Sequence, residues 1–182
     1  MNKPKAFMET DRAHLRAFCE EDYTELVSMM SDLEVMKYTG FRSPQSPDQV
    51  MESLRNWVRE GKDPFGVWCA EDKLNGEFIG WFMLKKHRYD YPELGFMLPR
   101  KRWGQGLACE ISHRILKYAL EDLGVEKVLA TTVKENVSSI SVLKKIGMCI
   151  SNVVPIRDPN FEIICHPHFY NFNWAGSFCC LP

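Results

Sequence analysis

The spacing of hydrophobic residues changes period repeatedly along the chain, which predicts alternating helices and strands in one domain spanning residues 1–182. Helical spacing, with its capping and stop signals, covers residues 21–30, 31–40, 46–61, 104–124 and 135–147. Strand-like runs cover residues 14–18, 65–70, 78–84, 93–98, 127–133, 148–154 and 161–174. This order predicts an α+β (mixed α/β) fold with helices on the faces of a mixed sheet.

Local signals indicate several of these boundaries. Ser31 and Glu34 form a capping-box pattern at the start of one helix, and Ser46 before a proline marks the start of the next. The pair Asn75-Gly76 between two strand-like runs is typical of a β-hairpin. The sequence therefore predicts where these helices begin and which two strands are paired neighbours.

A basic, glycine-rich loop lies between a predicted strand and the longest predicted helix. It reads RKRWGQG (100–106), and the helical pattern follows directly. Gly104 and Gly106 allow the backbone to turn its N–H groups outward, and a helix N-terminus adds the positive end of its dipole. We expect this loop to bind a phosphate-bearing ligand.

The composition narrows the classes of partner. With 182 residues, 45% hydrophobic residues and a net charge of −1, the chain can bury a core but lacks the diffuse positive field that non-specific nucleic-acid binding uses. The seven cysteines lack C-x-x-C spacing and no apolar run approaches a membrane span, so we expect reduced thiols in a cytoplasmic protein. The histidines of CHPHF (165–169) lack partner ligands of recognisable spacing, so we expect no metal.

The loop is a weak match to the common nucleotide-binding motifs. A dinucleotide-binding G-x-G-x-x-G motif needs a third glycine where Cys109 stands, and a P-loop needs Gly-Lys-Ser/Thr. The residues instead resemble the GNAT acyltransferase superfamily, whose loop pattern Gln/Arg-x-x-Gly-x-Gly/Ala is matched by residues 101–106, with lysine at the first position. PELGFML (92–98) resembles the central strand of that family, and KENVSSISVLKKIGM (134–148) resembles its asparagine-containing helix.

The stretch from residue 15 to 38 and the tryptophan before the first loop glycine also resemble the ribosomal-protein N-terminal alanine acetyltransferases. The resemblance implies a twisted, mostly antiparallel sheet with helices on both faces and a splayed central strand pair. It also implies acetyl coenzyme A as the acyl donor. The positions that match donor-binding residues of the family are Phe96, Met97, Leu98, Lys101, Arg102, Trp103, Gly104, Gln105, Gly106, Leu107, Ala108 and Asn136.

Acyl transfer to an amine requires the neutral amine. At pH 7 deprotonation costs about 4.6 kcal/mol for a lysine and roughly 1 kcal/mol for an α-amine, so a base is more valuable for a lysine-like acceptor. The resemblance implies that Glu93 is the base, acting directly or through water, and that Ser139 is a catalytic hydroxyl. Leu143 stands where many family members have a tyrosine acid. The acid is therefore open: Ser139, Ser141, or none.

We expect a monomeric or homodimeric enzyme that acetylates a primary amine, on a protein N-terminus or a small molecule, by direct transfer. No membrane or direct nucleic-acid partner is expected. A non-catalytic acyl-coenzyme-A sensor or scaffold is the main alternative, and a nucleotide-binding protein is the second. Aromatic candidates for an acceptor cleft are Tyr38, Phe41, Trp81, Phe82 and Tyr91.

Overall fold

The computed structural model describes residues 3–60, 64–86, 91–150 and 161–166, and within them an eight-stranded sheet is formed. The strands are β1 (Met8–Glu9), β2 (Ala13–Arg16), β3 (Gly66–Asp72), β4 (Phe78–Lys85), β5 (Glu93–Met97), β6 (Val128–Val133), β7 (Cys149–Ile150) and β8 (Phe161–His166). The helices are α1 (Tyr23–Met30), α2 (Leu33–Met36), α3 (Pro47–Glu60), α4 (Leu107–Lys117) and α5 (Val137–Lys145). None of the helices in the described ranges combines the length and the apolar character needed to cross a bilayer.

The strand order is β1-β2-β3-β4-β5-β6-β8-β7, and every neighbouring pair is antiparallel except β5 and β6. These two parallel strands are in register at a single residue pair, Glu93 opposite Leu129. Beside it the Leu129 N–H donates to the Pro92 carbonyl at 2.9 Å. Beyond this point the two strands separate. The predicted mixed, mostly antiparallel sheet with a splayed central pair is confirmed.

Hydrophobic side chains of the sheet alternate between two cores. In β4, Phe82 and Leu84 belong to the core beneath α4 and α5, whereas Trp81 and Met83 pack against the core beneath α1 to α3. This alternation follows from the two-residue period of a strand. Helices therefore cover both faces of the sheet, as expected.

Two of the local signals act as predicted. Ser46 Oγ accepts from the Gln49 N–H at 3.3 Å while Gln49 Oε1 accepts from the Ser46 N–H at 2.8 Å, a reciprocal capping box at the start of α3. Strands β3 and β4 form the expected antiparallel hairpin. Gly76 in its turn has a φ of +69°, which favours glycine.

Other boundaries differ from the prediction. The cap of α2 is Asp32, whose Oδ1 accepts from the Glu34 N–H at 2.9 Å, whereas the Ser31 hydroxyl donates to the Ser28 carbonyl at the end of α1. The strand predicted at 14–18 is β2, which ends at residue 16, and β1 was not predicted. The helix stop predicted at residue 61 and the strand segments predicted at 151–154 and 167–174 lie outside the described residues.

A buried ion cluster joins β2 to β3 and to the turn before α1. Arg16, only 2% exposed, donates to both carboxylate oxygens of Asp22 at 2.7 and 2.8 Å and to both oxygens of Glu71 at 2.8 Å. Burial tends to raise the pKa of Glu71, but hydrogen bonds from Arg16 and Lys3 lower it to about 2. Asp22, Glu71 and Cys69 lie close enough to hold a cation. The guanidinium of Arg16 is that cation.

Candidate active site

A cleft of about 880 Å³ opens where β5 and β6 separate. Residues 93–98 line one wall and residues 130–132 of β6 line the other. At one end, here called the loop end, the cleft reaches residues 102–104 and 106–109 around the start of α4. At the other, here called the aromatic end, it reaches residues 37–41 after α2 and Trp57 of α3. The splay of the sheet thus connects the glycine loop to the face covered by α1 to α3.

The glycine loop presents backbone amides to the loop end. Gly104 and Gly106 have φ values of +71° and +77°, a left-handed conformation that glycine adopts without strain. The first helical bond of α4 runs from the Glu110 N–H to the Gly106 carbonyl at 3.0 Å. The N–H groups of residues 107–109 precede this bond, so they have no acceptor within the helix. Together with the helix dipole these groups are suited to bind an anion.

The cationic side chains of the loop lie differently from the expectation. Arg102 is buried and donates to Asp72 at 3.2 Å, to Glu77 at 2.7 Å and to the Phe78 carbonyl at 3.3 Å. Its charge is compensated by two carboxylates of the β3–β4 hairpin. Arg102 also lines the cleft, so its role in binding the donor stays a prediction. Lys101 is exposed, with its Nζ 3.6 Å from a Glu25 carboxylate oxygen.

Two further side chains brace the loop. Trp103 Nε1 donates to the Leu98 carbonyl at 2.8 Å, although 48% of the tryptophan remains exposed. Gln105 Nε2 donates to the Lys101 carbonyl at 2.7 Å. The first bond ties the loop to the residue that follows β5, and the second is made within the loop.

Strand β5 brings a carboxylate and a backbone edge to the cleft. Glu93 is 7% exposed and accepts a hydrogen bond from the Thr131 hydroxyl at 2.5 Å. Backbone groups of a strand alternate in direction, and the Pro92 carbonyl points to β6. The N–H and carbonyl of Phe96 therefore point into the gap between the strands, whereas those of Met97 point to β4.

Helix α5 contributes the polar groups of the opposite wall. Asn136 is its N-cap, with Oδ1 accepting from the Ser139 N–H at 3.2 Å, and both residues line the cleft. The Ser139 hydroxyl has no hydrogen-bond partner among the described residues. Leu143 also lines the cleft and is 2% exposed, so an apolar side chain fills the position of the usual tyrosine. The structure therefore brings Glu93, Asn136 and Ser139 into one cleft, and Ser141, the other candidate for the acid, also lines it.

The aromatic end contains three of the five predicted aromatic residues and one that was not predicted. Tyr38, Phe41 and Trp81 line the cleft, and Trp57 packs on Trp81 with a ring-centroid distance of 5.9 Å. The other two candidates lie elsewhere. Phe82 is 0% exposed in the core, and the ring of Tyr91 faces Lys127.

Sequence reasoning missed two cations of the cleft, Lys37 at the aromatic end and Lys145 at the end of α5. Burial raises the pKa of the Cys109 thiol, and the charge of Lys145 opposes that shift. Lys145 lines the same cleft as Cys109, in the first turn of α4. Its neighbour Lys144 does not line the cleft, and nothing in the run of two lysines distinguishes them by sequence.

Residues 12–149 match the profile of the acetyltransferase (GNAT) domain. A relative from Aspergillus fumigatus, FsC-acetyl coenzyme A-N(2)-transacetylase, is 30% identical over 158 residues. That alignment covers 80% of the present chain and 66% of the fungal protein, so the chain spans slightly less than two thirds of this relative.

Solved structures share the fold at low sequence identity. RimL, the ribosomal L7/L12 α-N-protein acetyltransferase in complex with coenzyme A, superposes with a TM-score of 0.72 at 9% identity, covering 89% of this chain and 96% of RimL. Spermidine N-acetyltransferase from Vibrio cholerae, in complex with coenzyme A and spermine, superposes with a TM-score of 0.66 at 19% identity, covering 84% and 92%.

Proposed function

The chain belongs to the GNAT acetyltransferase family, and on this premise we propose that it transfers the acetyl group of acetyl coenzyme A directly to a primary amine. One observation carries the proposal. One cleft contains, at one end, the amides of the first turn of α4, which have no acceptor within the helix, and, where the central strands separate, the buried carboxylate of Glu93.

The loop end is suited to the diphosphate of the donor. Amides of residues 104–109 donate to the phosphate oxygens, and each favourable charge at a helix N-terminus contributes about 0.3–1 kcal/mol. Lys145 adds a cationic side chain to the lining of this cleft. We assign Arg102 an anchoring contact, because it ties the loop to the β3–β4 hairpin.

The pantetheine arm then runs along the gap between β5 and β6. There the N–H and carbonyl of Phe96 pair with its amides, and Asn136 stands on the opposite wall. The amine approaches from the aromatic end, where Glu93 accepts its proton directly or through a water molecule. The nitrogen forms a bond to the thioester carbonyl carbon, the C–S bond breaks, and the thiolate leaves with the electron pair.

The thiolate takes up a proton after the bond breaks. Leu143 has no proton to donate, so we assign this role to the Ser139 hydroxyl, which lines the cleft and has no partner among the described residues. The hydroxyl passes its proton to the thiolate as it takes one from a water molecule, so the serine ends the step neutral and the donor product is a free thiol. Catalysis by proximity, with a further backbone N–H of the strand stabilising the tetrahedral oxyanion, accounts for the remaining rate.

The aromatic end indicates the kind of amine. Its aromatic and aliphatic side chains favour an acceptor whose amine is attached to an apolar body, such as an arylalkylamine or a hydrophobic peptide N-terminus. Glu34 and Lys37 also line this end, and their opposite charges give it no excess of negative charge for a polyamine. We therefore expect an arylalkylamine to be acetylated faster than spermidine.

The full chain is tested by incubation with acetyl coenzyme A and a panel of an arylalkylamine, an alanine-terminated peptide and spermidine. Release of free thiol and an acetylated product by mass spectrometry are expected, with no acetyl group on the chain when the amine is omitted. Activity should persist in EDTA. Coenzyme A binding without thiol release across a broad amine panel would refute catalysis and favour the sensor.

A further inference from the structure

Arg12, in the turn between β1 and β2, contacts the glycine loop from outside the cleft. Its Nε donates to Glu110 Oε2 at 2.6 Å and its Nη1 donates to the Gln105 carbonyl at 2.9 Å. Its backbone N–H donates to Glu110 Oε1 at 3.0 Å. Arg12 does not line the cleft, whereas Gly106, the residue after Gln105, does.

The bond to Gln105 orients one peptide group of the loop. The peptide between Gln105 and Gly106 is planar and trans, so its carbonyl and its N–H point in opposite directions. Because the carbonyl points to Arg12, the Gly106 N–H points away from Arg12, toward the cleft. A Cβ at Gly106 would lie 3.5 Å from Arg12 Nη2, which shows how closely the guanidinium covers the back of the loop.

The bonds from Arg12 to Glu110 compensate the negative charge of this carboxylate, which lies close to a site proposed for an anion. Glu110 lies in the first turn of α4, whose amides form the anion site. Burial tends to raise the pKa of Glu110, but hydrogen bonds from Thr10 and Arg12 lower it. The carboxylate is therefore ionised, and without Arg12 its negative charge would repel a diphosphate bound one turn away.

We propose that Arg12 is a positioning residue for the acyl donor: it aims the Gly106 N–H into the cleft and neutralises Glu110 beside the diphosphate. This proposal rests on the proposed function, because it concerns the same donor site. It concerns only the phosphate end of the donor. Removal of Arg12 should therefore weaken binding of phosphorylated ligands and leave the chemical step unchanged.

Calorimetry on the full chain compares wild type with Arg12→Ala, Arg12→Lys and Arg12→Ala/Glu110→Gln. Arg55→Ala, an exposed arginine of α3, is the matched control. The ligands are coenzyme A and pantetheine, which lacks phosphate. Arg12→Ala should raise the Kd of coenzyme A about tenfold, because the hydrogen bond from the Gly106 N–H to the phosphate is lost. The Kd of pantetheine should stay unchanged. The lysine and double variants should each recover part of the loss.

Kinetics give a second readout. In Arg12→Ala the KM for acetyl coenzyme A should rise with its Kd, while kcat at saturating donor stays within about twofold of wild type. Equal coenzyme A affinity in Arg12→Ala and Arg55→Ala would overturn the proposal, as would an equal loss for pantetheine, which would indicate general damage to the fold. If the wild-type chain bound no coenzyme A, the proposed function itself would fail, and this proposal with it.

Discussion

Replacing Glu93 with glutamine removes a proton acceptor while preserving the size of the side chain and an oxygen for the Thr131 hydroxyl. Glu93 is 7% exposed, so bulk water competes poorly for the proton at this point. Deprotonation of an amine of pKa about 10.4 costs about 4.6 kcal/mol at pH 7, and a positioned base contributes about 10²–10⁴-fold to the rate. We expect kcat to fall by about 10²–10⁴-fold for such an amine, and less for an α-amine of pKa about 8.

The assay follows thiol release at saturating acetyl coenzyme A between about pH 6 and 9, a range below the pKa of an alkylamine. The rate of Glu93→Gln should rise about tenfold per pH unit, because it follows the neutral fraction of the amine, whereas the wild-type rate should vary much less. Glu34→Gln, a carboxylate lining the aromatic end, is the control and should retain kcat within about threefold. A kcat for Glu93→Gln equal to wild type at pH 7, or an identical pH profile, would refute the assignment of Glu93 as the base.

The remaining predictions concern stability and donor binding. Arg16→Ala leaves the buried carboxylate of Asp22 without its cation and leaves the partly buried Glu71 with Lys3 alone. The free energy of unfolding should therefore fall by about 3–5 kcal/mol and the Tm by roughly 6–20 °C, measured by calorimetry; an unchanged Tm would contradict this. The pKa of Glu71 is lowered from 4.5 to about 2, so its contribution to the free energy of unfolding is present above about pH 4.5 and is lost toward pH 2. The Tm values of wild type and Arg16→Ala should therefore converge on acidification. Lys145→Ala should raise the Kd of coenzyme A several-fold, and by less at high salt. Lys144→Ala on the same helix should leave the Kd unchanged. Equal effects of the two variants would argue against a contact between Lys145 and the diphosphate.

Local sequence signals predicted the elements well where the deciding contacts are themselves local. The capping box at Ser46 closes within four residues, and the hairpin turn at Gly76 depends on one left-handed residue. Local signals do not decide the boundary where two adjacent residues could both be the N-cap of a helix. Ser31 and Asp32 are both good N-caps, and only the packed structure shows that Asp32 begins α2 while Ser31 ends α1.

Side-chain roles at the site depend on contacts between distant parts of the chain. Lys101 and Arg102 are adjacent cations of one loop, and the carboxylates that bind Arg102 come from a hairpin more than twenty residues earlier. Arg12 reaches Glu110 across 98 positions. No spacing rule connects such residues. The family resemblance predicted the backbone of the site, and the structure was needed to assign its charges.

The alternation of side chains along a strand explains one of the errors among the aromatic candidates. Trp81 and Phe82 are neighbours in β4, so they point to opposite faces of the sheet, and only Trp81 reaches the cleft. Their hydrophobicity gives no indication of which faces the acceptor. Trp57 was missed because its helix was read as a structural element, although it lines the cleft beside Trp81.

The central claim is that the amides around Gly104 and Gly106 hold the phosphates of the donor. Its most direct test is the Kd of 4′-phosphopantetheine against that of pantetheine, two ligands that differ by one phosphate, measured by calorimetry on the wild-type chain. The account predicts that the phosphate tightens binding by about tenfold or more, the contribution of one charge-assisted hydrogen bond, with coenzyme A tighter still. Equal affinity for the two pantetheine compounds would contradict it.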